Sequence, residues 1–161
     1  MDSQSFKTTE ESSGSKGYDA HKNVAGRKRH LLVDTMGLLL PVFVTPASIQ
    51  DRQGARCLLA RFGPLAPRLQ LIWADGAYSG EGLAEWCEAE GGWHLEIVKR
   101  DKNATKGFKV SPRRWVVERT FAWLGRHRRL SKDYERKVQS SETFIEIAMI
   151  RLMLARLARS T

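Results

Sequence analysis

Apolar residues in this chain keep two rhythms: short runs closed by turn residues, and longer stretches that return every three or four positions. The first rhythm predicts strands. Residues 29–34 and 38–45 read as a hairpin around Asp34-Thr35-Met36-Gly37, Asp opening the turn and Gly closing it, so Asp34 is a turn residue rather than a metal ligand. Residues 69–74, with the continuous run Leu71-Ile72-Trp73, read as a strand buried on both faces, and 93–99 as a further strand. The second rhythm predicts helices over 48–62, stopped by Gly63-Pro64, and over 79–90, stopped by Gly91-Gly92. Ser111 as N-cap and Pro112 at the first helical position open a third, running to about Leu130. A last helix over 141–159 is apolar on most sides (Phe144, Ile147, Ile150, Leu154, Leu157), which predicts that it packs inside. Residues 7–26 are polar and rich in Gly and Ser, and read as a flexible loop. Strands interleaved with helices, without internal repeat, predict one α/β domain over 1–161 with a mixed sheet and two C-terminal helices.

Charge sharpens this picture. The chain of 161 residues carries a net charge of +9. Residues 99–137, a basic loop followed by a basic helix, hold 14 Lys and Arg against four acids, so this stretch alone exceeds the excess of the whole chain. Such a concentration points to an acidic polymer as partner, nucleic acid before membrane. Arg27-Lys28-Arg29 reads either as a nuclear address or, equally well, as a further basic entry to a strand near DNA. Cys57 and Cys87 lie 30 residues apart with no Cys/His ligand spacing, which indicates free thiols rather than zinc or a disulfide framework. The start lacks the basic and apolar segments of a secretion signal, and Glu146, Arg151, Arg156 and Arg159 interrupt the last apolar stretch. A cytoplasmic protein is expected.

Two carboxylates stand where a carboxylate is costly. Asp75 ends the most apolar strand and precedes Gly76, at the sheet edge where ligands bind in open α/β folds; opening a turn before the next helix is its other reading. Glu118 shares a helical face with Arg114, Trp115, Phe121, Ala122 and Gly125, so it is expected to be buried and either paired with Arg114 or bound to a metal. Trp115 and Trp123 are read as core residues before stacking platforms for bases. Asp2, at the extreme start, carries little signal of its own.

Asp2-Ser3-Gln4-Ser5, Gly26-Arg27-Lys28-Arg29-His30, Asp34-Thr35-Met36-Gly37-Leu38, Trp73-Ala74-Asp75-Gly76-Ala77-Tyr78 and the run from Arg114 to Leu124 resemble, in this order, the DDE-class transposases of bacterial insertion sequences, the insertion-sequence-five group above all. The resemblance implies a ribonuclease-H-like fold, a mixed sheet flanked by helices. It makes Asp2 (after the first strand), Asp75 (after the fourth) and Glu118 (on a helix after an insertion) the catalytic and metal-binding acids. Two Mg²⁺ ions, replaceable by Mn²⁺, are the implied cofactors, with hydrolysis of DNA phosphodiesters at the element's ends and transfer of the 3′-hydroxyl into target DNA as the implied chemistry. Arg113, Arg114, Arg119, Arg126, Arg128, Arg129 and Lys132 would grip phosphates of double-stranded DNA. Ser111 stands where the family has Tyr, and Gly125 where it has Lys. Family members continue upstream of Asp2, so the chain is expected to be N-terminally truncated, either completed by a separately encoded segment or left as the fragment of a decayed gene, and to work as a nucleoid-associated homo-oligomer. The alternative is a catalytically dead remnant that only binds DNA.

Overall fold

The computed structural model describes residues 1–12, 14–80, 82–98 and 114–159. Its hub is a ten-residue strand, β3 (Val24–Val33). Strand β1 (Asp2–Lys7) runs antiparallel along one edge of β3, with Asp2 opposite Leu31 and Lys7 opposite Gly26. The other edge is shared by β2 (Gly17–Asp19) and β4 (Leu39–Pro46), both antiparallel to β3. Strands β5 (Leu71–Ala74) and β6 (His94–Ile97) form a parallel pair. That pair meets the larger sheet where the Met1 amine donates to the Trp73 carbonyl at 2.6 Å.

Successive residues of β3 point to opposite faces, and each face carries its own core. Leu32 belongs to a cluster with Leu58 and Leu59 of α1 (Asp51–Phe62), Ile72 of β5, and Leu83 and Cys87 of α2 (Leu83–Gly91). Leu31 belongs to the other, with Phe6, Val42 and Val44, Phe121 and Leu124 of α3 (Arg114–Gly125), and Ile145 and Met149 of α4 (Val138–Leu157). The molecule is therefore a mixed α/β fold with helices on both sides of the sheets.

The hairpin is present where the sequence places it. Asp34 serves its turn, its Oδ1 accepting from the Met36 and Leu38 amides at 2.8 Å while its carbonyl accepts from Gly37. Other expectations give way. Residues 7–26 are not one flexible loop: they contain β2 and the first residues of β3, and Asp19 is buried. The strand Leu71–Ala74 is not buried on both faces, since Leu71 is 39% exposed. The last helix does not pack inside on most sides: Ile147, Ile150, Leu154 and Leu157 are 53–65% exposed, while Ile145, Ala148 and Met149 hold the core contact. The Ser111-Pro112 helix start and the basic loop 100–109 lie outside the described residues.

Arg27, Lys28 and Arg29 do not face DNA. All three are buried within the sheet region. Arg27 pairs with Asp133 at 2.7 Å and donates to the carbonyls of Glu135 and Arg136. Lys28, on the opposite face, lies 2.9 Å from Asp51 and 3.4 Å from Asp19. Arg29 donates to the Leu130 carbonyl and stacks over the Phe6 ring. This network explains β1, a strand without an apolar face: Ser3 donates to Asp51 and Ser5 to Asp19, so its hydroxyls complete the ion pairs beneath it.

Candidate active site

Asp2 opens β1 and points to the same face as its partner Leu31, the face covered by α3 and α4. Asp75 closes β5. It caps a single helical turn (Gly76–Tyr78) by accepting from the Ala77 amide at 2.9 Å, so its turn-opening role is present alongside its place at the strand end. Both carboxylates line one cleft of about 430 Å³ that reaches from β5 to the hairpin turn and to Val116 and Val117 of α3. Residues 73 positions apart in sequence are thus neighbours. The electrostatics record it: Asp2 is pushed up to about 6, chiefly by burial and further by the negative charge of Asp75, against a bond from the Ser3 amide. The Met1 amine beside them is lowered to about 6 by burial.

Glu118 is placed differently from the expectation. It is not buried among aromatic residues. The inward face of α3 is Val117, Thr120, Phe121 and Leu124, and Glu118 shares the exposed face with Trp115 and Ala122. The two tryptophans misled because, unlike Phe121, they do not fill the core. Trp115 and Trp123 hold Arg119 between them, the guanidinium 4.2 and 4.7 Å from the ring centroids. Trp115 is 41% exposed.

The orientation of α3, and hence of Glu118, is set by its neighbour Thr120. Its buried hydroxyl donates to the Gly37 carbonyl at 2.6 Å, and Arg119 donates to the Met36 carbonyl at 2.8 Å. Both bonds tie the helix to the hairpin turn that forms one wall of the cleft. Gly37 is required there, because its φ of +77° suits glycine and a Cβ would press on Arg119, Thr120 and Trp123 at 3.1–3.3 Å.

Of the residues expected to grip phosphate, Arg126, Arg128 and Lys132 are exposed beyond the end of α3. Arg129 is exposed but paired with Glu135 at 2.7 Å and stacked on Phe144. Arg113 lies outside the described residues, and Arg114 is described in its backbone only. Sequence reasoning missed Tyr78. Its phenol is buried, and desolvation together with the charges of Asp2, Asp51 and Asp75 raises its pKa well above the usual value. The signal was its spacing: three residues after Asp75, at the end of a single helical turn, it stays within reach of the Asp75 charge while its ring enters the core. Cys57 and Cys87 are free, as expected. Among the described residues no three His, Cys, Asp or Glu side chains are gathered closely enough to hold a metal ion, and no helix is long and apolar enough to cross a membrane.

The chain is thus an α/β domain that brings two acids together at the ends of separate strands. The family model of transposase DDE domains matches residues 1–154, and the chain belongs to that family. It is 28% identical over 129 residues to a Burkholderia cepacia protein named as a transposase for insertion sequence element IS402. The match covers 76% of this chain and 60% of that protein, so the chain spans well under two thirds of its relative's length. No solved structure matches.

Proposed function

We propose that this chain is the catalytic domain of an insertion-sequence transposase of ribonuclease-H-like architecture, which hydrolyses phosphodiesters at the element's ends and joins the freed 3′-hydroxyl to target DNA. Asp2, Asp75 and Glu118 are its acids. The observation that carries the reading is the convergence of Asp2 and Asp75 on one cleft, with Asp2 raised to about 6. A desolvated carboxylate beside a second one is a donor set that a divalent cation would relieve, and hard oxygen donors suit Mg²⁺ or Mn²⁺. Asp2 and Asp75 would hold such ions; Glu118 stands on the outward face of α3, whose Val116 and Val117 line the same cleft, so it would complete the set only if α3 turned towards them. When bound, divalent cations neutralise phosphate charge and make the attacking oxygen a better nucleophile. The protein's own part is positional: β1 and β5 fix the two aspartates, and the Thr120 and Arg119 bonds fix the helix that carries Glu118. Arg126, Arg128 and Lys132 supply phosphate contacts beyond that helix. A nucleoid-associated protein acting on double-stranded DNA as a homo-oligomer follows from this reading.

The test is nicking of a supercoiled plasmid carrying the genomic segment that flanks the gene, with Mg²⁺ or Mn²⁺. The unmutated chain should nick, and Asp75→Ala should abolish nicking while leaving DNA binding within about twofold, since no phosphate-gripping residue is removed. Binding without nicking by the unmutated chain makes the protein a DNA-binding remnant instead.

A further inference from the structure

The exposed side of α4 is organised. Ile147, Ile150, Leu154 and Leu157 follow one another at steps of three, four and three, the spacing of two coiled-coil heptads with these residues at the a and d positions. All four are more than half exposed. At about 100° per residue they form one stripe roughly 170° around the helix from Ile145, Ala148 and Met149, which face the core. Among the described residues the stripe is open to solvent, so a second helix can be laid along it.

The residues flanking the stripe decide what covers it. Glu146 stands at the g position before Ile147, and Arg151 at the e position after Ile150; both are exposed. In a parallel pair of helices, g of one chain faces the e position five residues further along the other, and 146 and 151 differ by five. Two copies of α4 in parallel register would thus form two symmetric Glu146–Arg151 ion pairs bracketing the Ile150 layer. An antiparallel pair centred on the same residues sets like charges against each other. We infer that the exposed face of α4 is a dimerisation seam that takes the same helix of a second copy of this chain, in parallel register. The stripe's apolar area is excluded from water, the two flanking charges find opposite partners, and the two domains project away from the two-fold axis. Two heptads make a weak seam, so the dimer should form in the micromolar range or above.

The inference needs neither DNA nor metal and is independent of the catalytic reading. It is tested by sedimentation equilibrium on the full chain without DNA. The unmutated protein should dimerise below about 100 µM. Leu154→Asp should be monomeric with an unchanged circular dichroism spectrum. Glu146→Arg should weaken the dimer about tenfold by replacing two attractive pairs with two repulsive ones, and adding Arg151→Glu should restore it. A monomeric unmutated protein, a dimer that survives Leu154→Asp, or a double variant no tighter than Glu146→Arg each overturns the proposal; the first leaves the stripe to another segment or protein. Asp75→Ala should dimerise like the unmutated chain, which separates failure of this seam from failure of the active-site reading.

Discussion

Removing the carboxylate of Asp133 should cost this fold a large share of its stability. Arg27 is fully buried, and its guanidinium lies 2.7 Å from Asp133, whose side chain is 1% exposed. Breaking a buried pair from one side leaves an uncompensated charge, typically about 3–5 kcal/mol. In Asp133→Ala the guanidinium keeps its bonds to the carbonyls of Ser15, Glu135 and Arg136, which lowers the penalty. The variant also loses the Asp133 bond to the Glu135 amide, about 1 kcal/mol. The net expectation is a loss of about 3–4 kcal/mol, against a whole stability of roughly 5–15. Urea denaturation followed by circular dichroism should show the midpoint falling by about 1.5–2 M at unchanged slope. The companion variant Arg27→Met/Asp133→Leu should recover much of the loss, because it removes both charges together. A loss below about 1 kcal/mol for Asp133→Ala would refute the argument. It would mean that Arg27 is solvated in the folded protein and available to DNA, as the basic cluster suggests when read from sequence alone.

Four further outcomes follow, three of them from the same interior. His30 is buried and lowered to about 4 by desolvation, so the unfolded chain binds its proton first; this group's stability is intact above pH 6.5 and lost, by about 3 kcal/mol, as pH falls to 4. Asp2, raised to about 6, works in the opposite sense, gaining stability as pH falls from 6 towards 3.8, so thermal melts of the metal-free protein should change little over this window, whereas Asp2→Asn should melt higher at pH 7, lose stability steeply on acidification and fail to nick DNA. Gly54→Ala would place a Cβ 2.1 Å from His30 Cε1 and should destabilise by about 1–3 kcal/mol in urea. For DNA binding measured against salt, Arg128→Ala should reduce the slope of log K on log salt by about 1, while Arg27→Met should leave the slope unchanged.

What could be read from the sequence was what local chemistry dictates. The Asp34–Gly37 turn, the helix ended by Gly91-Gly92 and the strand ending in Asp75 all announce themselves within a few residues, and all are present. What escaped depends on partners distant in the chain. The segment Asp2–Lys7 has no apolar alternation, so it does not look like a strand; it becomes one because Lys28, Asp51 and Asp19 lie beneath it and bond its hydroxyls. For the same reason Arg27-Lys28-Arg29 looked like a surface patch, although its charges are spent within the fold on Asp133, Asp51, Asp19 and backbone carbonyls. Periodicity misjudged α3 by about one residue of rotation, because a Trp was assumed to point inward. Arg119 offers Trp115 and Trp123 a stacking partner outside the core, and the helix turns its smaller residues, Val117 and Thr120, to the sheet.

That rotation bears on how the acids assemble. With Trp115 outward, Glu118 stands on the solvent side of α3, while Val116 and Val117 wall the cleft of Asp2 and Asp75. The two aspartates are held at the ends of strands, and Asp2 carries a desolvation cost. The glutamate is held by a helix docked on a hairpin turn through two side-chain bonds, Thr120 to Gly37 and Arg119 to Met36. A site divided in this way separates two kinds of damage. Substitution at Asp2 removes a charge that burial disfavours, so it should stabilise the protein or leave its stability unchanged while abolishing activity; Asp75→Ala should abolish activity at a cost of about 1 kcal/mol, for the lost bond from the Ala77 amide. Thr120→Val removes a buried bond worth about 1 kcal/mol and leaves the Gly37 carbonyl unmet on α3, so it should lower stability and activity together. If Thr120→Val loses stability but retains full nicking, the orientation of α3 does not govern the third acid, and Glu118 reaches the site by some other means than the docking of its helix.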